Sequence, residues 1–322
     1  MRYPFYTLDV FTDRAFGGNP LAVLPDARGL DAEQMLQIAR EFNLSETAFV
    51  FPPEERDHTR RARIFTPTSE LPFAGHPTVG TAFLLASLGE VDLQGDTTTI
   101  VLEEKVGPVS VTIQAERGEP VSATLSAAKL PEFGPPPPSL EAIAETLSLK
   151  PADLLTGESS PQAVSCGNPF LFVPVRDRSV LTRIRVNPTA WERHLAPYWA
   201  PKPYIFTYDA ELPGSTVRAR MFSPSIGLRE DPATGAAAAA LAGYLGVRDP
   251  RPEGTLRWQV EQGFEMGRPS LLQVEADKVR GEITAARVGG RCVRVSEGTI
   301  EVPHTSVVLA DQRWFEIDAQ IT

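Results

Sequence analysis

Residues 63–80 read RIFTPTSELPFAGHPTVG, and residues 220–235 repeat the pattern as RMFSPSIGLREDPATG. Both stretches begin with Arg, an apolar residue, Phe, Thr or Ser, and Pro, and both reach a His/Asp-Pro-x-x-Gly sequence after a short connection. Arg63 and Arg220 lie 157 residues apart in a chain of 322, which is close to half of its length. Repeat arrays need at least about three copies, so two copies indicate a duplicated domain.

Each copy predicts a strand, a turn and the start of a helix. The strand ends at the first proline, because proline cannot donate to a sheet ladder. Pro77 and Pro232 then fall at the first helical position, which proline favours, and this places His76 and Asp231 at the caps. A helix N-terminus offers free N–H groups and a positive partial charge. Two such ends that face each other would hold an acidic small molecule from both sides.

The helices that follow have no polar face. Residues 236–245 read AAAAALAGYL and are apolar on every side, which favours full burial. A helix of roughly a dozen residues is too short to cross a bilayer, which needs about 20. Strand-like segments flank both helices, at residues 99–103 and 109–113 in one half and at 256–260 and 271–274 in the other. The sequence therefore predicts a sheet curled around a central helix, once in each half.

Six motifs are spread over nearly the whole chain: LDVFT (8–12), FGGNPLAV (16–23), NLSETAF (43–49), GHPT (75–78), EDPATG (230–235) and QGFEMGRPS (262–270). In these motifs and in their order, the chain resembles the phenazine-biosynthesis PhzF-like isomerases. The resemblance implies an α+β fold of the diaminopimelate-epimerase-like type, with two pseudo-symmetric domains, each a mixed β-barrel wrapped around a central helix. It also implies an isomerase of biosynthetic metabolism that forms a homodimer.

A domain boundary is predicted near residue 128. Pro131 and the prolines at 135–138 form a stiff, extended segment just after it. The C-terminal domain is therefore expected to span residues 129–302. The N-terminal domain is expected to span residues 1–128, and by analogy with the family fold the tail at 303–322 returns to it.

Composition and charge limit the partners. The chain is 42% hydrophobic and 22% charged, as is usual for globular proteins, and its net charge is −10. Binding nucleic acid needs a basic face, so nucleic acid is an unlikely partner. The N-terminal MRYPF lacks the apolar core of a signal peptide, and only Cys166 and Cys292 are present, too few for a disulfide framework. We expect a cytoplasmic protein with no membrane partner.

Residues 44–51, LSETAFVF, predict a strand in which Glu46 is the only ionisable group. On the solvent side of an edge strand, Glu46 would be ordinary surface. In apolar surroundings, desolvation would raise its pKa towards the range of a general base. The resemblance favours the second alternative, because the family's catalytic glutamate falls in the same Ser-Glu-Thr setting. Glu46 is therefore the first candidate catalytic residue.

His76 and Asp231 are the other candidate catalytic residues. A histidine is more often a structural group, and Asp231 could serve as an N-cap alone. At a helix entry, however, His76 could carry a proton or donate a hydrogen bond to substrate, since the pKa of histidine can cross neutrality. Together with Asp231 it would orient the substrate.

The turn Gly18-Asn19-Pro20 recurs as Gly167-Asn168-Pro169. Both could be simple turns, but their match between the halves supports two loops that line one cleft. The helix starts would supply the rest of the wall. The predicted substrate-binding residues are Asn19, Gly75, Pro77, Thr78, Gly167, Asn168, Thr234, Gly235 and Ala236.

Cysteine placement decides between two chemistries of the implied fold. Diaminopimelate epimerase uses a thiol beside each helix entry, whereas Ala74 and Pro232 fill those positions here. The resemblance then implies that Glu46 removes a proton from a carbon of a small carboxylic acid and returns it elsewhere, without cofactor or metal. Ala236 stands where the family usually has serine, which indicates a different substrate or weakened catalysis. The alternative is a small-molecule binding protein that kept the cleft and lost turnover.

Overall fold

The computed structural model describes residues 1–224 and 228–303. The tail, predicted to return to the first domain, lies outside the described residues from residue 304 onward. The helices are α1 (Ala32–Phe42), α2 (Gly75–Ser87), α3 (Leu140–Leu147), α4 (Arg178–Arg183), α5 (Pro188–His194) and α6 (Gly235–Arg248).

The strands fall into two series that follow the two halves of the chain. The first series is β1 (Arg2–Val10), β2 (Asn19–Leu24), β3 (Glu46–Phe51), β4 (Arg60–Phe65), β5 (Glu70–Leu71), β6 (Thr97–Glu104), β7 (Gly107–Glu116), β8 (Glu119–Ser126) and β9 (Glu132–Phe133). The second series is β10 (Gln162–Ser165), β11 (Pro169–Pro174), β12 (Pro203–Thr207), β13 (Val217–Ser223), β14 (Leu228–Asp231), β15 (Gly254–Gln262), β16 (Ser270–Val279) and β17 (Glu282–Glu301).

Strand pairing follows the same order in both halves. From β1 through β2, β3, β4, β6 and β7 to β8, successive pairs are antiparallel, parallel, antiparallel, parallel, antiparallel and antiparallel. From β10 through β11, β12, β13, β15 and β16 to β17, the sequence of orientations is identical. The duplication inferred from the repeated motif is therefore present in the topology.

The long strand β17 joins the two halves. It pairs with β16, then with β8 at residues 287–291, and then with β1 at residues 292–301. The pairings to β8 and β1 close the first series into a barrel. The domain limits near residues 128 and 302 stay a prediction, and β17 crosses from one series to the other within the span 129–302.

The central helices are buried as their apolar sequences predict. Every residue of α2 from Gly75 to Ala86 is buried, and so is α6 from Gly235 to Gly246 apart from Ala236. Tyr244 is fully buried, and its hydroxyl donates a 2.9 Å hydrogen bond to the Ser160 carbonyl oxygen. Burying a large apolar side chain contributes about 1.5–3 kcal/mol, so the two helices anchor the core of each half.

The outer helix α1 begins with a capping box, a pattern that the sequence Asp31-Ala-Glu-Gln34 carries. Asp31 Oδ1 accepts a 2.8 Å hydrogen bond from the Gln34 amide, and Gln34 Oε1 accepts a 3.1 Å bond from the Asp31 amide. Met35, Ile38 and Ala39 are buried against the first barrel. Among the helices of residues 1–224 and 228–303, none has the length and apolar character needed to cross a membrane.

Candidate active site

A cavity of about 300 Å³ lies where the starts of α2 and α6 meet. The first half of the chain contributes Glu46, Gly75 and His76 to its wall, and the second half contributes Asp231 and Gly235. All three candidate catalytic residues therefore line one cavity. Its volume is at the small end of ligand sites, which suits a small metabolite.

A larger cavity of about 830 Å³ lies between the α4–α5 connection and β13. Its charged lining residues Arg220 and Glu230 bond to each other at 2.7 and 2.8 Å. Glu265, also on its wall, accepts a 2.9 Å bond from Arg218. The remaining charged residue, Arg185, donates to backbone carbonyls, and the candidate catalytic residues all line the smaller cavity, which is therefore the better candidate for chemistry.

Glycine allows the two helices to start against each other. Gly75 is the first residue of α2, and Gly235 is the first residue of α6. A Cβ on Gly75 would lie 2.8 Å from Gly235 Cα and 2.7 Å from the Ala236 nitrogen, closer than Cβ atoms come to other atoms. The cap residues Ala74 and Thr234 make no side-chain capping bond. The first N–H groups of both helices therefore stay uncapped beside the cavity.

The predicted alignment of His76 with Asp231 is wrong. The helices begin 160 residues apart, whereas the preceding strands repeat at 157, so His76 corresponds to Ala236. Pro77 is the third residue of α2, Pro232 precedes α6, and Asp231 ends β14 rather than capping the helix. The first N–H groups of a helix are all unpaired, so proline is tolerated at several early positions and does not mark the first.

Glu46 begins β3, which lies between β2 and β4, so the solvent-facing edge-strand alternative is wrong. Its side chain is only 15% exposed. Burial, and secondarily the charge of Asp231, raises the pKa of Glu46 to about 8. Oε2 has no hydrogen-bond partner among the described residues and lies 3.5 Å from His76 Nε2. This carboxyl is therefore a strong base once it is ionised.

His76 is the second residue of α2 and is buried. Burial lowers its pKa to about 3, so the imidazole is neutral at physiological pH. Its Nε2 makes no hydrogen bond among the described residues, although Glu46 Oε2 is near. A neutral imidazole can donate with one ring nitrogen and accept with the other, so His76 can orient a substrate or the Glu46 carboxyl without adding charge.

Asp231 is held by donors from both halves. Asn19 Nδ2 donates a 2.9 Å bond to Oδ1, and Thr234 Oγ1 donates a 2.5 Å bond to Oδ2. Burial raises the pKa of Asp231 to about 6 despite these bonds, and the carboxyl is ionised at neutral pH. Asn19 also donates to the Ala233 carbonyl oxygen at 2.8 Å, and its own oxygen accepts from Ser45 at 3.3 Å. Asn19 thus ties the halves together rather than facing the cavity.

The other predicted substrate-binding residues divide into two groups. Pro77 and Thr78 are buried in α2 behind the wall. Thr78 Oγ1 lies 2.7 Å from the Ala74 carbonyl oxygen and 2.5 Å from Glu104 Oε1. The residues that line the cavity are Gly75, Gly167, Asn168, Thr234, Gly235 and Ala236.

Glu104 is a buried acid that the sequence did not single out. Its Oε1 accepts a 2.5 Å hydrogen bond from the Thr78 hydroxyl, and its Oε2 has no hydrogen-bond partner among the described residues. Burial raises the pKa of Glu104 to about 8 despite the bond from Thr78, which favours a neutral acid beneath the start of α2.

Several residues that the sequence did not single out also line the cavity, among them Lys202 and Ser223. Ser223 belongs to the Phe-Ser-Pro part of the repeat, which was a usable signal, whereas nothing in the local sequence marks Lys202. Cys166 also lines the cavity, although it lies outside the repeated motif. Burial raises the pKa of its thiol to about 12, so it is not a thiolate at neutral pH.

Arg268, which belongs to the QGFEMGRPS motif, does not line the cavity. Its guanidinium donates to Asp9 Oδ1 at 2.5 Å, to the Gly17 carbonyl at 2.6 Å and to the Gly18 carbonyl at 2.9 Å. These bonds fix the loop before β2. In the described part of the chain, no group of three or more His, Cys, Asp or Glu side chains is arranged to hold a metal ion.

Comparisons with known proteins agree with the fold. A family model described as phenazine biosynthesis-like protein matches residues 8–298. An isomerase of Mesorhizobium japonicum designated mll1393, itself described as uncharacterized, is 42% identical over 91% of this chain and 96% of its own length. The trans-2,3-dihydro-3-hydroxyanthranilate isomerase of Pseudomonas aeruginosa is 32% identical over 91% of this chain and 98% of its own.

Solved structures show the same architecture. A phenazine biosynthesis protein of the PhzF family from Bacillus anthracis has a TM-score of 0.82 at 27% identity, covering 94% of this chain and 99% of its own. A hydroxyproline epimerase from Agrobacterium vitis shares the fold alone, with a TM-score of 0.59 at 14% identity over 93% of this chain and 92% of its own. The predicted fold class is confirmed, and the chain belongs to the phenazine biosynthesis-like protein family.

Proposed function

We propose that this chain is a cofactor-independent isomerase that moves a proton on a small, carboxylate-bearing metabolite. Glu46 is the general acid and base of this reaction. One observation carries the proposal: the Glu46 carboxyl lies 3.5 Å from the neutral His76 ring in a cavity where two helix N-termini meet. Its relatives are named isomerases, which supports the reaction class.

Glu46 alone can both remove and return the proton. The ionised carboxylate takes a proton from a substrate carbon and becomes a carboxylic acid. The electron pair of the broken C–H bond moves into an adjacent double bond of the substrate. The Glu46 acid then gives its proton to the carbon at the far end of that system, and the carboxylate is restored. A raised pKa suits both steps, because it strengthens the base and keeps the acid available.

The helix starts stabilise the negative charge that develops on the substrate. The first N–H groups of α2 and α6 are uncapped by their cap side chains and lie beside the cavity. Preorganised N–H donors in a site closed to water stabilise such charge more than water does. General acid–base catalysis alone gives about 10²–10⁴-fold, so positioning and these donors must supply the remaining acceleration.

A two-thiol racemase mechanism does not fit the cavity. Cys166 lines the wall, whereas Cys292 is buried beside β1, where the strand register pairs it with Val10. Burial raises the pKa of both thiols to about 12, so neither is poised as a base. The carboxyl of Glu46 is the stronger candidate for proton transfer from carbon.

The relatives narrow the substrate class. The Pseudomonas aeruginosa relative acts, by its name, on trans-2,3-dihydro-3-hydroxyanthranilate, a small cyclic amino acid. We propose a substrate of this general class, a ring or short chain that carries a carboxylate beside a double bond. Ala236 lines the cavity where the family usually supplies a serine hydroxyl, which favours a substrate that needs no hydrogen bond there.

The test is a screen of metabolite carboxylic acids by thermal shift, followed by incubation of each hit with the protein in D₂O. Mass spectrometry should show deuterium entering at least one hit at a carbon position. Acids that raise the melting temperature but gain no deuterium would instead support a binding protein that has lost turnover, which the missing hydroxyl at Ala236 also favours.

A further inference from the structure

Lys202 and Ser223 both line the second-half wall of the cavity. Tyr204 pairs with Met221 at this end of the β12–β13 ladder; Lys202 directly precedes β12, and Ser223 is the last residue of β13. Residues two apart on a strand share a face. Met221, Lys202 and Ser223 all line the cavity, so this face of the two strands forms part of its wall.

Lys202 is held in place but keeps hydrogen-bonding capacity. Its ammonium donates a 2.9 Å bond to Asn168 Oδ1 and lies 5.6 Å from the centre of the Phe170 ring. An ammonium has three donors, so two remain beyond the bond to Asn168. Within residues 1–224 and 228–303, no carboxylate lies within ion-pair distance of it. Its charge acts on Glu46 across the cavity.

Ser223 adds a second polar group to the same wall. The residue is fully buried, and its hydroxyl finds no hydrogen-bond partner among the described residues. A buried hydroxyl without a partner is costly, so such a group at a cavity wall points to a ligand or ordered water. An ammonium and a hydroxyl together are donors matched to an anionic oxygen.

We infer that Lys202 and Ser223 form an anion-selecting subsite that holds the carboxylate of the substrate. This inference rests on the proposed function. It places the carboxylate of the substrate on the wall formed by β12 and β13. The helix-start amides of α2 and α6 are then free to face the charge that develops at the reacting carbon. Lys202 is the specificity-determining residue, and the ligand class is a carboxylic acid rather than its neutral amide.

The experiment measures the preference for an acid over its isosteric amide. Calorimetry at low salt gives the Kd of 2-aminobenzoate and of 2-aminobenzamide for the wild-type protein, Lys202→Met, Lys202→Arg and Ser223→Ala. Lys129→Met is the matched control, because Lys129 lines the same cavity but is exposed at its rim. Circular dichroism and the melting temperature confirm that each variant is folded.

We expect the wild-type protein to prefer the acid, and Lys202→Met to lose about 10- to 100-fold of that preference, as for a charged hydrogen bond. Lys202→Arg should keep most of it, Ser223→Ala should lose about three- to tenfold, and Lys129→Met should change it by less than about twofold. A wild-type protein that binds the acid no more tightly than the amide overturns the inference. So does Lys202→Met with an unchanged preference.

The outcome separates this inference from the isomerase proposal. Glu46→Gln should keep the preference for the acid, because Glu46 does not contact the carboxylate. If Lys202→Met loses the preference while no acid gains deuterium with the wild-type protein, the subsite stands and the isomerase proposal fails. If deuterium enters but Lys202→Met keeps the preference, the isomerase proposal stands and the subsite fails.

Discussion

Gly75 and Gly235 meet where the two buried helices begin, and a Cβ on Gly75 would lie 2.8 Å from Gly235 Cα. Alanine normally stabilises a helix relative to glycine by about 0.5–1 kcal/mol. Here we expect the opposite sign, because the added methyl group forces the two helix starts apart. Gly75→Ala should lower the free energy of unfolding by about 1–3 kcal/mol in urea titrations. An unchanged or higher stability would show that the helix starts do not abut.

The pH dependence of stability tests the buried acid Glu104. Its pKa is raised to about 8, above its ordinary value, so its contribution to stability is present at low pH and is lost as pH rises through about 8. Glu104→Gln removes this titration, and the amide oxygen of glutamine can still accept the hydrogen bond from Thr78. Between pH 5 and 8, the fall in unfolding free energy should become shallower by up to about 1.4 kcal/mol per pH unit.

Glu116→Gln is the control for that comparison, because Glu116 is exposed on β7. It should leave the slope of unfolding free energy against pH unchanged. An identical slope in Glu104→Gln and in the wild-type protein would show that Glu104 is ionised in the folded state.

The pH dependence of deuterium exchange tests Glu46 as the base. Only the ionised form accepts a proton, and the pKa of Glu46 is raised to about 8. The second-order rate constant should therefore rise about tenfold per pH unit towards pH 8 and level off above it. Asp231→Asn removes a charge that raises this pKa, so its profile should shift to lower pH. A rate that is flat between pH 6 and 9 would contradict the assignment.

Ala236→Ser tests whether the missing hydroxyl sets substrate choice. Ala236 is the second residue of α6 and lines the cavity, so a serine hydroxyl there would face the ligand. With trans-2,3-dihydro-3-hydroxyanthranilate, the variant should exchange deuterium up to about tenfold faster than the wild-type protein, as one added hydrogen bond allows. Ala240→Ser, deeper in the buried helix, should give no gain. A slower or equal rate in Ala236→Ser would show that the missing hydroxyl does not determine the choice of substrate.

Local signals in the sequence predicted much of the fold. The capping box at Asp31 and Gln34 and the apolar run of α6 act within one helical turn or one helix, so pattern alone specifies them. The repeat predicted the duplication but misplaced the helix starts, because a helix tolerates proline at several of its first positions. His76 was therefore matched to Asp231 rather than to Ala236.

Residues of the site were predictable from the sequence only where they belong to a recognisable motif. Glu46, His76 and Asp231 belong to motifs, and all three line the cavity. Lys202 reaches the wall through the parallel pairing of β11 with β12, which spans a long connection and leaves no local signal. Asn19 belongs to a motif, yet its side chain holds Asp231 instead of facing the cavity, which depends on packing between the halves.

The central claim is that the carboxyl of Glu46 carries hydrogen from one carbon of an acidic metabolite to another. The most direct measurement compares deuterium uptake from D₂O into the best-binding acid with the wild-type protein and with Glu46→Gln. Glutamine keeps the size of the side chain and removes the base, so uptake should fall by at least about 10²- to 10⁴-fold while the Kd for the acid stays within a few-fold. Undiminished uptake by a folded Glu46→Gln variant would contradict the account.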